Sequence, residues 1–269
     1  ALLARGWLDG NVVLLRGEGP VLVDTGYHTG VPALVNWLAA EGAAPPSEVV
    51  LTHVHSDHAG GVAALRARWP DLPVRGHPDA RALTEPWDRA ALWLGDNGQD
   101  MPEFRMTGTL SPGETRRLAG RDWVVVDTPG HATGGVAFFR PDDGVLISGD
   151  ALWEDGLAML NVWREPPGVF ARTAAALDAI AALDVSLVIP GHGAPFTDVA
   201  GALARSRSRL AARAADPRKN LRHALRSAVG FAKMAHPDWT AADLHRIVQF
   251  AADRWDAHPD DVAAVLRRS

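Results

Sequence analysis

Four metal-capable side chains crowd into six residues of this chain: His53, His55, Asp57 and His58, within Thr52-His53-Val54-His55-Ser56-Asp57-His58-Ala59-Gly60-Gly61. The stretch follows directly on a β-like run, Glu48–Thr52. On a strand, His53 and His55 share one face; in a loop at its end, all four side chains converge. A lone histidine usually has a structural explanation, whereas four such groups in one short window rarely do. The sequence contains no cysteine, so disulfides and thiolate ligands are excluded. Any metal must then be held by imidazole and carboxylate. A cysteine-free chain also suits a reducing, cytoplasmic setting.

Three further turns carry the same residue types. Thr128-Pro129-Gly130-His131, Ser148-Gly149-Asp150 and Pro190-Gly191-His192-Gly193 each follow a β-like run. Glycine beside a ligand lets the backbone come close to a metal centre. The candidate set is therefore His53, His55, Asp57, His58, His131, Asp150 and His192. One zinc ion takes three or four protein ligands. Seven suit two ions that share a carboxylate and lie within about 3.5–4 Å of each other. Nitrogen and oxygen ligation fits zinc best and also admits manganese or iron.

The 269 residues, 47% of them apolar, are enough for one large domain with an appendage. Val12–Leu15 and Val21–Val23, joined by the turn 16–20, read as a hairpin. Further β-like runs are Trp123–Asp127, Val136–Phe139, Val145–Ser148 and Ser186–Ile189. Val31–Glu41, Gly61–Trp69 and Val169–Leu183 have helical spacing of apolar residues. Strands interleaved with helices predict a layered α/β domain over 1–198. Residues 77–113, with Trp87, Trp93, Met101, Phe104 and Met106, read as a lid or pocket wall over the site, or as a small satellite core or subunit contact. From 199 to 269 the pattern is helical throughout, punctuated at Pro217, Pro237 and Pro259, with Thr240 and Asp243 spaced for an N-terminal cap. No apolar run has the length of a membrane span, and no leader pattern opens the chain.

The net charge of −5 hides an asymmetry: residues 200–269 carry 13 Lys/Arg against 7 Asp, and eight of those bases fall within 205–226. Solvated helix faces or a surface for phosphate and nucleic acid both account for it. Other aromatic and histidine residues stay open between packing and the site. Tyr27 and His28 flank the Asp24 loop, and Trp153, Met159 and Trp163 follow Asp150. His77 reads as structural, and His223, His236, His245 and His258 as surface or core histidines.

The motif His-x-His-x-Asp-His, followed in order by His131, Asp150 and His192, resembles that of the metallo-β-lactamase superfamily, in its glyoxalase II-like or lactonase-like branch. The resemblance covers about 1–198. It implies an αββα sandwich with a C-terminal all-helical extension and the metals in a groove at one edge of the two sheets. It also implies that His53, His55 and His131 hold one ion, that Asp57, His58 and His192 hold the other, and that Asp150 bridges them. Asp24, in Val23-Asp24-Thr25-Gly26, matches an early Asp that orients ligands; the bland alternative is a turn-stabilising residue. The implied chemistry is hydrolysis by a metal-bridging hydroxide, with Asp57 as a catalytic residue that orients it or relays its proton.

The fold does not set the substrate. Asp150 stands where the β-lactamases of the superfamily generally have Cys or Ser, which disfavours antibiotic cleavage. His55 stands where the diiron flavoproteins usually have Glu. A small acyl compound (thioester, ester or lactone) is the first expectation, suggested by the aromatic segments around the ligands. A phosphodiesterase or endoribonuclease is the alternative, suggested by the basic stretch in the tail. A mononuclear iron sulfur dioxygenase and a non-catalytic relative complete the set. The expected partners are a small-molecule substrate, nucleic acid less so, no membrane, and a possible homodimer.

Overall fold

The computed structural model describes residues 1–269 apart from 7, 96–98, 256 and 268–269, and without the side chain of residue 254. Two sheets form the centre. The first holds β1 (Leu2–Leu3), β2 (Val12–Leu15), β3 (Val21–Val23), β4 (Glu48–Val50), β5 (Val74–Gly76) and β6 (Gly108–Thr109), side by side in that order. The second holds β7 (Thr115–Leu118), β8 (Arg121–Asp127), β9 (Val136–Arg140), β10 (Val145–Gly149) and β11 (Leu187–Pro190), in the order β11-β10-β9-β8-β7. The expected hairpin is present, with Val13 paired to Val23 and Leu15 to Val21.

The alternation of side chains along each strand explains the layering. Val13 and Leu15 of β2, Val21 and Val23 of β3 and Val50 of β4 turn inward. There they meet Trp123 and Val125 of β8, Phe138 of β9 and Ile147 of β10 in one buried cluster. The intervening residues Val12, Leu14, Leu22 and Val49 face outward. They pack on Leu34 and Leu38 of α1 (Val31–Ala40) and on Leu65 of α3 (Val62–Arg68), which follows the short helix α2 (Ser56–Ala59). On the other side Ala137, Phe139 and Leu146 pack on Leu177 and Ile180 of α5 (Val169–Ala181), beyond α4 (Pro78–Thr84) in the chain. Helix, sheet, sheet and helix are thus held by three apolar seams, the αββα order. Both faces of these strands are covered, so their sequences are continuously apolar rather than alternating.

Four helices follow: α6 (Val199–Ala215), α7 (Pro217–Ala235), α8 (Ala241–Arg254) and α9 (Pro259–Leu266). Ala202, Leu203 and Leu210 of α6 belong to the seam on the second sheet. By contrast α7, α8 and α9 bury Leu225, Val248 and Val265 in a cluster of their own, which also takes in Trp93 and Met159. Thr240 and Asp243 form the expected capping box on α8. Arg218 and Arg222 of α7 both donate to the buried Asp261 of α9, each at 2.8 Å, and so fix that helix. No helix of the described residues is long and apolar enough to cross a membrane.

The segment 77–113 departs from a simple insertion. Gly108 pairs with Arg75, so its last part completes the first sheet. Met101, Phe104 and Met106 join the outer seam of that sheet, with Trp87 packed against it. Trp93 alone of the five named side chains lines the cavity described below.

Candidate metal centre

The ends of four strands converge at one edge of the two sheets. β4 stops at Val50, two residues earlier than the sequence suggested, because Thr52 turns away to bond Asp24. His53 and His55 follow in the loop, and α2 carries Asp57 and His58. His131 stands in the turn after β8, Asp150 follows β10 and His192 follows β11. Gly191 shows why the turn needs its residue type. A Cβ there would lie 2.4 Å from Asp150 Oδ1 and 2.7 Å from a ring carbon of His58. Any side chain at this position would push the two strand ends apart.

All seven sequence-derived candidates meet here, in two groups: His53, His55 and His131, and Asp57, His58, Asp150 and His192. Within each group the candidate ligand atoms lie within 4.8 Å of one another. Asp150 reaches both. Its Oδ2 is 3.3 Å from His131 Nε2, and its Oδ1 is 3.3 Å from His58 Nε2 and 3.6 Å from His192 Nε2. Asp57 Oδ2 is 3.2 Å from His192 Nε2 and 3.7 Å from His58 Nε2.

The surrounding hydrogen bonds fix which ring nitrogen His53, His58 and His131 present. Asp24 Oδ2 faces His58 Nδ1 at 2.8 Å and takes the Thr52 hydroxyl proton at 2.7 Å, while Asp24 Oδ1 takes the Thr52 N–H. Thr52 Oγ1 has given away its one proton, so it accepts from His53 Nδ1 at 3.0 Å. His131 Nδ1 donates to the Met159 carbonyl at 2.7 Å. The Nε2 atoms of His53, His58 and His131 are left as buried nitrogens without a hydrogen-bond partner. Buried polar atoms are nearly always satisfied. Three orphans facing two carboxylates fit divalent cations bound by nitrogen and oxygen donors. Asp24 is therefore more than a turn residue: it orients two imidazoles from behind.

Electrostatics agree. Burial holds the His53 and His55 imidazoles well below the usual histidine range, and neighbouring imidazoles add to it. Burial opposes the charge on His58 too, but Asp150, Asp57 and Asp24 outweigh it and hold that group well above the usual range. Burial would raise Asp150, yet His192 and His58 hold its carboxyl well below the usual carboxylate range. Asp150 thus remains ionised inside the protein and demands cationic charge beside it.

A cavity opens over the two groups. Leu8, Trp93, Trp153, Met159 and Phe231 make its apolar walls. The Trp93 ring lies 4.0 Å from that of His55, and Trp153 Nε1 donates to Asp150 Oδ1 at 3.2 Å. His223, Ser227 and Phe231, at i, i+4 and i+8 of α7, close it from one side. This corrects the expectation for His223, which is a wall of the site and not a surface or core histidine. His245 and His236 are exposed, and His258 is an exposed cap of α9. His77 caps α4 through Nδ1. Tyr27 is fully buried and its hydroxyl accepts from the Asp100 N–H, while His28 is not among the residues lining the cavity. Trp163 stacks on Trp255 instead of facing the site.

Some contributors were invisible in the sequence. Asn11 donates to the carbonyls of Pro190 and Gly193, at 2.9 and 2.8 Å, and so ties the N-terminal segment to the His192 turn. Gln99 lines the cavity, and its Oε1 accepts from Ser56 at 2.7 Å. Neither residue sits in a pattern that would have singled it out.

Residues 5–192 match the family model of the metallo-beta-lactamase superfamily. Among curated proteins the chain is 30% identical over 154 residues to a hydroxyacylglutathione hydrolase of Yersinia pestis (strain Pestoides F), covering 57% of this chain and 49% of that protein. A second hydroxyacylglutathione hydrolase, of Xanthomonas axonopodis pv. citri (strain 306), is 34% identical over 158 residues, covering 58% and 51%. The chain thus spans about half the length of the curated relatives it matches. Among solved structures, a metallo-beta-lactamase family protein of Thermus thermophilus superposes with a TM-score of 0.65 at 26% identity, over 99% of this chain and 92% of that one. The protein TTHA1623, solved in a di-iron-bound form, superposes with a TM-score of 0.61 at 33% identity, over 77% and 98%.

Proposed function

We propose, for a chain that belongs to the metallo-β-lactamase superfamily, that it is a dinuclear metal-dependent hydrolase of a small acyl compound, a thioester, ester or lactone. The observation that carries this reading is the Asp150 carboxylate, one oxygen on each ligand group, under a cavity walled by Trp93, Met159 and Phe231. His53, His55 and His131 would hold one ion, and Asp57, His58 and His192 the other, with Asp150 common to both. Bound there, two divalent ions supply Lewis acidity to a substrate oxygen and make a water acidic near neutral pH. Zinc suits the donor set best, while the di-iron form of a neighbour keeps iron open.

The protein's own groups then have separable tasks. Asp57 lies at the cavity floor beside His192 and is placed to orient the attacking water and take its proton. The apolar walls exclude bulk water and seat the acyl group. His223 is neutral at physiological pH, because burial and then Arg213 and Arg226 push its pKa to about 3. It offers substrate a hydrogen-bonding ring without charge.

The phosphodiesterase reading gains little from the tail. Arg205 pairs with Asp198 and Asp155, Arg207 with Asp178, and Arg218 and Arg222 with Asp261. Much of the basic stretch is therefore neutralised within the fold. A one-iron dioxygenase would leave the second ligand group without a task. We read the location as cytoplasmic from the cysteine-free sequence.

The test compares a lactoyl-glutathione thioester with an activated phosphodiester on metal-loaded protein, with Asp57→Asn as control. Faster thioester turnover, lost in the control, is expected. Faster phosphodiester turnover would transfer the site to the nuclease reading, and oxygen consumption with one iron per chain would transfer it to the dioxygenase.

A further inference from the structure

The outer ring nitrogens of His53 and His58 meet side chains at the end of the first sheet, Thr52 and Asp24. That of His131 meets a main-chain carbonyl instead, Met159 at 2.7 Å. The segment 154–160 that carries this carbonyl has no helix or strand to place it. Its carbonyls are held from the C-terminal helices. Arg205 of α6 donates to Glu154 at 2.8 Å, Ser206 to Gly156 at 3.2 Å, and Arg213 to Leu157 at 2.9 Å and Ala158 at 2.7 Å. Asn220 of α7 donates to Leu160 at 2.6 Å. The Met159 carbonyl thus lies between two that α6 and α7 hold, and it turns to His131. Its own side chain is buried with Leu221 and Leu225 of α7. Further along, Thr133 of the His131 turn donates to the buried Glu165 at 2.7 Å, so the two loops meet at a second point.

Asn220 is 1% exposed, and its Oδ1 has no hydrogen-bond partner among the described residues. Burying an amide with an acceptor unmatched is costly. Packing alone would favour an apolar residue of that size, so what distinguishes Asn220 is the donor it gives to Leu160.

We propose that Asn220, together with Arg213, is a positioning residue for the metal ligand His131 and acts through the Met159 carbonyl. The inference rests on the dinuclear reading for what it predicts about metal. It gives the C-terminal helices a task in the metal centre besides walling the cavity. The route has three links: the Asn220 amide to the Leu160 carbonyl, one residue along the chain to the Met159 carbonyl, and that carbonyl to the Nδ1–H of His131. With Nδ1 protonated and held, the ring offers Nε2 inward, the form a divalent ion requires. Without Asn220 the Leu160 carbonyl keeps only the Val162 N–H at 3.2 Å. The segment then shifts to satisfy it and withdraws Met159 from His131. His53 and His58 are supported outside this route, so the effect is confined to the ion that His131 serves.

The experiment titrates wild type, Asn220→Leu and Arg213→Lys with zinc against chelators of graded affinity. It also follows the His131 Nδ1–H by NMR, with and without zinc. Asn220→Leu keeps the side-chain volume and removes the donor. One zinc should bind about tenfold more weakly, the low end of what losing an outer partner costs a ligand, and the other should be unchanged. The His131 Nδ1–H signal should be lost to exchange with water. Arg213→Lys keeps a donor for one of its two carbonyls and should weaken the same zinc by less; it carries the test if Asn220→Leu does not fold. Unchanged affinities, whatever the melting temperature, or equal weakening of both ions overturn the proposal. If wild type takes up a single zinc, the dinuclear reading fails, and the His131 signal read without zinc decides alone. Its loss in Asn220→Leu upholds the positioning role; its absence from wild type or its persistence in the variant overturns it.

Discussion

The strand-end loops and the C-terminal helices handle charge in opposite ways. At the loops, Asp150 and Asp57 are buried against histidines, three of which leave a buried ring nitrogen without a hydrogen-bond partner. Such a cluster is costly to bury and is held together by ligand demand. In the helices, Arg205, Arg207, Arg218 and Arg222 neutralise acids within the fold. On the acyl-hydrolase reading, the first region would supply the reaction and the second would supply the wall that selects the substrate. Substitutions in the loops should therefore change metal content, and substitutions in the helical wall of the cavity should change KM and selectivity.

The hardest test of that division is Asp150→Ala. One side chain serves both ligand groups, so metal per chain should fall from two toward one. Turnover should drop by more than the roughly 10- to 100-fold typical of removing an outer partner of a ligand. Two ions retained by elemental analysis would remove Asp150 from the shared position. Asp24→Ala comes next. It touches no proposed metal, yet it orients His58 and, through Thr52, His53. Competition with a chelator should show metal affinity lowered by about 10- to 100-fold, and an unchanged affinity would return Asp24 to a turn-forming role.

On the helical side, Phe231→Ala and Trp93→Ala should raise KM for an apolar acyl substrate by about tenfold, the worth of a few methylenes in a pocket. Metal content should stay at the wild-type value. Loss of metal in Trp93→Ala would show that its ring, lying against His55, belongs to the loop region instead.

This contrast also explains what could be read in advance. The ligands were legible because metal chemistry restricts residue type and the fold places ligands at strand ends, where glycines mark tight turns. Most of the longer strands were legible too, from apolar runs such as Val12–Leu15. Strands of two residues, Leu2–Leu3 and Gly108–Thr109, carry too little pattern to be seen. The segment 77–113 mixed core and cavity residues in one stretch, because Phe104 and Met106 bury against the first sheet while Trp93 crosses to the α7 cluster. The wall was hidden for a different reason. Helical spacing shows that His223, Ser227 and Phe231 share a face, but not what that face meets, which depends on how α7 packs against the sandwich.

His223 offers the finest test, since it belongs to the wall by position and to the charge problem by environment. Its pKa in the folded chain is about 3, lowered by burial and by Arg213, Arg226 and His131. In the unfolded chain it should titrate near the usual 6.5. Between those values the unfolded state binds a proton that the folded state does not, so stability falls as pH falls through this window. At pH 5 the group should cost about 2 kcal/mol relative to pH 8. The checking measurement is the pH dependence of unfolding free energy in metal-loaded wild type and His223→Asn. The variant should lack this component, so its curve should be flatter by about that amount between pH 8 and 5. Parallel curves would mean that His223 is solvated or finds an anionic neighbour, and α7 would then not seal the cavity as its His223, Ser227 and Phe231 face indicates.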